Sequence, residues 1–461
     1  MKLGSAHIRL WDEGWFVVHA IEMMKEGSWF VSYFDGQPSI TSSKPPLQTW
    51  LQIASLKMFG ISELAVRLPS AIASSLSVLM LFFFTGRKLG QPMAWLTSMI
   101  LLTSIGFIGF HTSRGAEADA LLTLTLVAQA IFFFQFVQTR EWRWLFLAMT
   151  SIGVAFWVKS VAAFLFLPGF AVYSLLFSRD TILIMLKSWQ FYVGIATVVA
   201  IIGSYLLLRE NAQPGYLAMF FKSNVGRYTS SVGHDQPWDF YIRNMLDGRY
   251  MWWMPFAFLG FLLAFTELSE VKSWVVFSSI IALSFLIFIG FSKSKLVWYD
   301  MPFYPMAAVS AAYAIKYFTY NLQGLRRIAL LLLLFTFPVY QMFAHTQANR
   351  LRLQEMEFEA QEIFLANAYR ERKEMDNTIV VHDHFHGALL FYKHKFEQVG
   401  DDLILTNSLD SVEKGAKVLI KDPSLIDELM EQWKADSIDS CRDAVLYKIK
   451  GAKNNSQKTN E

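Results

Sequence analysis

The sequence predicts a polytopic α-helical membrane protein of about ten spans, with a small soluble α/β domain after them, and three observations carry that prediction. Hydrophobic residues make up 54% of the 461-residue chain and charged residues 17%, where soluble domains average about a quarter charged. The hydrophobicity is blocky: residues 63–345 hold long apolar stretches, whereas 346–461 carry charge at soluble-protein density and no stretch long enough to span. The basic residues between the apolar stretches are shared unevenly by alternate loops, as in a chain threaded back and forth through a bilayer.

A span takes about 20 mostly apolar residues, and candidates fall at 66–85, 93–111, 119–137, 144–158, 160–177, 189–208, 250–266, 274–292, 301–318 and 327–345, with Lys159 interrupting what would otherwise be one long run. One set of short loops holds Arg87, Lys88, Arg140, Arg143, Arg179, Lys187, Lys272, Arg326 and Arg327; the other holds Arg114, Lys159, Lys293 and Lys295. Cations accumulate on the cytoplasmic side, so the first set is inside. Residues 1–62, the loop 209–249 and the tail 346–461 then share the outer compartment, and the membrane body is 63–345. The start MKLGSAHIRLWDEGW has no apolar core and is not a signal peptide; sixty outer residues without one imply a further helix before Met1. The net charge of +3 and the lack of a basic stripe interleaved with aromatics argue against nucleic acid. Cys441 is the only cysteine, which excludes an intramolecular disulfide or a cysteine-based zinc site.

The chemistry-bearing residues map to the outer side. In WDEGWFVVHAIEMM, Asp12 and Glu13 open a helix that lies at the interface; the pair suits either a catalytic acid or an ordinary helix start, where acids favour the dipole. Lys44 precedes two prolines that hold it in place, making it a ligand for a lipid phosphate or a lysine reaching for headgroups. HTSRGAEADALLTL sets Arg114, Glu117 and Asp119 at the entrance of an apolar helix, with Asp119 a helix-start acid or an orienting partner for a cation. Lys159, Lys293 and Lys295, with Tyr299 and Asp300, add to the same face, and cations on the side that the charge rule disfavours point to a bound anion. The outer loop FFKSNVGRYTSSVGHDQPWDFYI supplies Arg227 and His234, the latter a phosphate contact, a metal ligand or neither.

In this order, WDEG, SKPPLQTWLQ, FGISELAVRLPSA, SRGAEADALLTL, Lys159 closing a helix, NVGRY with GH, and SKSKLVWYDMPFYP resemble the C-type (GT-C) glycosyltransferases related to protein O-mannosyltransferases and lipid A aminoarabinose transferases, over about residues 10–318. The resemblance implies a GT-C fold in the plasma (inner) membrane and transfer of a sugar from a polyprenyl-phosphate carrier to a lipid, glycan or protein acceptor on the outer face. It implies Asp12 as the catalytic acid with Glu13 beside it; Lys44, with Arg114, Lys159, Arg227 and Lys295, as phosphate-binding cations; and Asp119, His234 and Tyr299 as organisers. Ser43 stands where the aminoarabinose enzymes carry an acidic residue, which leaves a divalent metal open and no cofactor assigned. A transporter or lipid flippase is the alternative from another class, against which stand the absence of an internal repeat and the placement of ionisable residues at span ends.

The tail alternates short β-rich runs, 378–381, 403–405 and 418–420, with helical ones, as an α/β domain does. His382, His384 and His386 alternate and would share one face of an extended strand, as metal ligands or as solvated loop residues.

Overall fold

The computed structural model describes residues 3–40, 44–109, 111–229, 235–266, 273–352, 359–383 and 385–453; within these, the side chains of 225–229 and 348–352 are left out of the account. Two short helices precede the membrane body, α1 (Asp12–Lys25) and α2 (Leu47–Phe59), with a small antiparallel hairpin between them, β1 (Tyr33–Phe34) and β2 (Gln37–Pro38). Asp12 and Glu13 lie in the first turn of α1 and Lys25 in the last, each complementing the helix dipole. Gly60 ends α2 at φ 72°, a conformation that disfavours any side chain.

The body runs α3 (Glu63–Leu89), α4 (Gln91–Leu102), α5 (Ile105–Ile108), α6 (Asp119–Thr139), α7 (Trp142–Lys159), α8 (Leu167–Phe177), α9 (Arg179–Lys187), α10 (Trp189–Ala212), α11 (Tyr216–Thr229), α12 (Phe240–Asn244), α13 (Met254–Thr266), α14 (Ser273–Gly290), α15 (Phe303–Thr319) and α16 (Gly324–Arg352). Each of the ten apolar runs becomes helix, but among the described residues only six helices are long and apolar enough to cross a bilayer: Glu63–Leu89, Asp119–Thr139, Trp142–Phe164, Trp189–Ala212, Ser273–Gly290 and Gly324–Gln347. The shortfall has local causes. The run at 93–111 breaks at Thr103 and Ser104, whose hydroxyls turn back to the carbonyls of Met99 and Ile100. The run at 160–177 begins with the tight turn Ser160–Phe164, and α9 departs from α8 at 112°. Arg140 holds that bend, donating to the hydroxyls of Ser178 and Thr181. Close crossings are made by glycine: a Cβ on Gly260 of α13 would lie 1.8 Å from the Ser310 carbonyl oxygen of α15.

The tail folds as expected into an α/β unit, α17 (Ala360–Arg370), β3 (Thr378–Val381), α18 (Gly387–Glu397), β4 (Leu403–Thr406), β5 (Lys417–Ile420), α19 (Pro423–Gln432), β6 (Trp433–Cys441) and β7 (Ala444–Ala452). The sheet order is β4-β3-β5-β7-β6, parallel across the first three strands and antiparallel beyond. The β6–β7 hairpin was not foreseen. Of the two readings of the histidines the structure has the strand-end loop: β3 ends at Val381, His382 lies beyond it and His386 caps α18, while His384 falls outside the described residues.

The N-terminal segment and the tail share a core. Ile8, Val17 and Ile21 pack with Phe364, Phe391, Tyr392 and Leu419 in one cluster, separate from that of the membrane body. This joins two segments that the charge rule assigned to one side.

Candidate functional site

A cleft of about 130 Å³ opens where α6, α7 and the loop before α15 meet, lined by Lys44, Asp119, Lys159, Ser160, Asn224, Tyr241, Ser292, Ser294 and Tyr299 with apolar residues between them. Asp119 begins α6, and its Oδ1 accepts from Lys159 Nζ at 2.5 Å. The same ammonium stands 4.4 Å from the centre of the Tyr299 ring. Lys159 is the last residue of α7, so a cation is fixed at the junction of two helices by a carboxylate on one side and a π-face on the other. Ser160 leaves the helix at φ 54° and donates to Asn224 Oδ1 at 3.3 Å, tying α7 to α11.

Lys44 also borders a second, much smaller gap of about 10 Å³ with Trp15, His19, Ser32 and Thr49, against α1. His19 is 3% exposed and its Nε2 has no hydrogen-bond partner among the described residues. Burial, reinforced by the Arg209 cation, pushes its pKa down to about 3. Asp12 is half-buried at the head of α1, with no hydrogen bond or ion pair among the described residues.

Glu13 does not stand beside it as a second reacting acid. It is 1% exposed and takes Arg67 in a bidentate pair, Nε to Oε1 at 2.6 Å and Nη2 to Oε2 at 2.8 Å. Arg67 also donates to the carbonyls of Leu3, Ala6 and His7, so its whole guanidinium fork is engaged. Burial alone would push Glu13 up, but Arg67 and then Arg9 hold it below the usual carboxylate value. Sequence reading missed Arg67, although an arginine at the N-terminal end of α3, ahead of its apolar run, was a signal. Around this lock, His7 Nε2 lies 2.6 Å from Glu359, Lys395 donates to Glu63 at 2.6 Å, and Lys25 to Glu397 at 2.5 Å.

The remaining expected residues divide. Arg114 is half-buried in the loop before α6, its pKa lowered by burial and by the nearby Arg67 charge, and it is not among the residues lining the cleft. Lys295 is buried and donates to the carbonyls of Gln236 at 2.8 Å and Ser292 at 2.5 Å. It therefore braces the wall carrying Ser292 and Ser294 and does not reach into the cleft as an anion ligand. The side chain of Arg227, and His234 and Ser43 altogether, lie outside the described residues. A second pair that sequence reading missed, Arg249 with Asp300, closes at 2.7 Å, with Tyr304 donating to the same carboxylate at 2.5 Å. It clamps the outer loop to the start of α15. Among the described residues no group of three histidines, cysteines or acids could hold a metal ion, and Asp119 is engaged by Lys159.

Residues 43–207 match the family model described as dolichyl-phosphate-mannose-protein mannosyltransferase. An uncharacterized protein of Aquifex aeolicus is 26% identical over 73% of this chain and 64% of its own length. An undecaprenyl phosphate-alpha-4-amino-4-deoxy-L-arabinose arabinosyl transferase of Pseudomonas savastanoi is 27% identical over 52% of this chain and 45% of its own. The chain thus spans less than two thirds of these relatives' length. The crystal structure of ArnT from Cupriavidus metallidurans bound to undecaprenyl phosphate superposes with a TM-score of 0.73 at 16% identity, over 97% of this chain and 95% of that one. Residues 43–207 thus resemble the protein mannosyltransferase family, the chain is similar in sequence to aminoarabinose transferases, and it shares the whole fold of ArnT, that of the C-type membrane glycosyltransferases.

Proposed function

We propose that this protein transfers a sugar from a polyprenyl-phosphate carrier to an acceptor on the periplasmic face of the inner membrane. One observation carries the reading: two lysines, Lys44 and Lys159, border a single cleft, and Asp119 and Tyr299 hold the second of them in place. A carrier phosphate is a good leaving group once cations offset its charge, and preorganised cations do this without reorganising during the reaction. The arabinosyl transferases among the relatives, whose names specify undecaprenyl phosphate, support that donor class.

In the proposed step the anomeric carbon's bond to the phosphate oxygen breaks and a bond to the acceptor oxygen forms. The departing polyprenyl phosphate keeps the electron pair, neutralised by Lys44 and Lys159. Asp12 takes the proton when the acceptor is a hydroxyl and positions the acceptor when it is an ionised phosphate. Glu13, Asp119, Lys295 and Tyr299 act as positioning residues, and His234 as an organiser of the outer loop. Direct displacement inverts the anomeric centre; observed retention would refute this mechanism.

The test is a membrane assay of the wild type and Asp12→Ala with labelled polyprenyl-phosphate sugars, scoring lipid and protein fractions separately. Transfer by the wild type and its loss in the variant is the expected result. Equal transfer by both would remove Asp12 from the mechanism.

A further inference from the structure

Lys159 ends α7 at the cleft; the first half of the same helix borders a different space, an apolar groove of about 430 Å³ between α7, α8, α9 and α10. Met149, Ile152 and Phe170 form its floor and are nearly buried. Leu186, Ile195 and Val199 form its mouth and are 53%, 41% and 63% exposed, so it opens sideways to the bilayer. Its lining holds one hydroxyl, that of Ser174, and no charged side chain. An apolar cavity of about 150 Å³ stays dry and takes a benzene; this one, nearly three times larger, suits a longer hydrocarbon. Between its lining residues Phe191 and Val199, α10 rises about 12 Å, close to the hydrocarbon depth of one leaflet, about 15 Å. That depth matches a fatty acyl chain and is far too short for a polyprenyl chain.

The end of the groove away from the cleft lies at headgroup level. There α9 leaves α8 at 112° and turns Ile182, Met185 and Leu186 into the groove; a straight continuation of α8 would carry them away. Trp189 and Tyr192, 70% and 54% exposed, follow at once, aromatic residues of the kind that sit at an interface. Tyr192 donates to the Leu186 carbonyl at 2.9 Å and so fixes α9 against α10.

Arg179 opens α9 and Lys187 ends it. Arg179 stands three residues before Ile182, on the side of the helix that faces the groove. Its Nε donates to the Leu175 carbonyl at 2.9 Å, and its Nη groups, like Lys187 Nζ, have no partner among the described residues. The other cations of this end are engaged, Arg140 by Ser178 and Thr181 and Arg143 by Glu141. With Asp180 the one acid of α9, positive charge is in excess at the mouth.

We infer that this groove binds one acyl chain of an anionic phospholipid from the leaflet opposite the cleft, with the phosphate on Arg179 and Lys187 adding to the preference for negative charge. The inference is independent of the sugar-transfer reading, since it requires only that these helices cross a bilayer.

The test uses the full chain, delipidated in detergent, and native mass spectrometry of titrations with dioleoyl phosphatidylglycerol, dioleoyl phosphatidylcholine and undecaprenyl phosphate. Each unengaged cation near a membrane surface is worth about fivefold, so the first phosphatidylglycerol should bind at least about fivefold more tightly than the first phosphatidylcholine. Arg179→Gln with Lys187→Gln should erase that preference. Ala171→Trp fills the groove from an exposed position of its wall and should abolish the site; Val199→Trp does the same from α10 and carries the test if the first variant does not fold. Undecaprenyl phosphate, whose place is the cleft, should leave the phosphatidylglycerol bound. Equal first-site affinities for the two phospholipids, or unchanged binding in a folded tryptophan variant, would overturn the inference. Displacement of phosphatidylglycerol by undecaprenyl phosphate would also overturn it, by assigning the groove to the carrier.

Discussion

Two ion pairs, Lys159 with Asp119 and Arg67 with Glu13, bring together the same charges at nearly the same distance, 2.5 and 2.6 Å, and do different work. Arg67 has its guanidinium wholly enclosed by one carboxylate and three backbone carbonyls. Lys159 has one hydrogen bond and one aromatic face, and the rest of its ammonium looks into the cleft. The difference teaches that a charge at a membrane surface becomes a candidate for chemistry through the coordination it still has to offer. Acid and base alone do not distinguish a reacting group from a rivet.

Breaking each side of that contrast should give different symptoms. The largest effect is expected at Asp12: Asp12→Ala lowers transfer by about 100- to 10,000-fold, the range for loss of a general base, with an unchanged melting temperature. A comparable loss of thermal stability would move Asp12 to the rivet side. Arg67→Met should instead destabilise the docking of the N-terminal segment by about 3–5 kcal/mol, because it strands the buried Glu13 charge; limited proteolysis of residues 3–25 reads this directly, and wild-type resistance would argue against the lock.

His19 sharpens the contrast through pH. Its pKa is held at about 3 in the fold, against about 6.5 for an unfolded imidazole, so between those values only the unfolded chain binds the proton. Its stabilising contribution is complete above about pH 6.5 and is lost as pH falls toward 3, by at most about 1.4 kcal/mol per pH unit. His19→Asn should flatten that slope in a series of melting curves; an unaltered slope would assign it to other groups. The smallest effect is expected at Tyr299: Tyr299→Leu removes a cation–π contact worth about 0.5–1 kcal/mol, a few-fold in kcat/KM with carrier binding retained. A loss as large as that of Asp12→Ala would make Tyr299 more than a positioning residue.

Much of this was legible in the residues. Apolar runs marked where helices form, Lys159 does close one, and the strands at 378–381, 403–405 and 418–420 follow from their β-branched and leucine content. The candidate cleft was half legible: Lys44, Asp119, Lys159 and Tyr299 line it together, whereas Lys295 turned out to brace its wall and Glu13 to be locked away. What escaped was tertiary. Glu13 and Arg67 are 54 residues apart, and no local pattern says which acid will meet which arginine. The β6–β7 hairpin escaped because WKADSIDSC carries its alternation with too little apolar weight to stand out. Trp11 and Phe385 stack from far apart in the chain, a contact that depends on how the tail docks.

The core shared by the N-terminal segment and the tail has a consequence for control. There a Cβ on Gly14 would lie 2.8 Å from Ala388 N and 3.0 Å from the Gly387 carbonyl carbon, so two backbones touch directly. With no side chain between them, the two segments have no compliant layer, so a displacement of the tail is transmitted to the first turn of α1 with little loss. The tail thereby becomes a handle on the carboxylate of Asp12. A displacement of that domain would shift the first turn of α1 without touching the cleft, and a single methyl group at position 14 would force the two backbones apart.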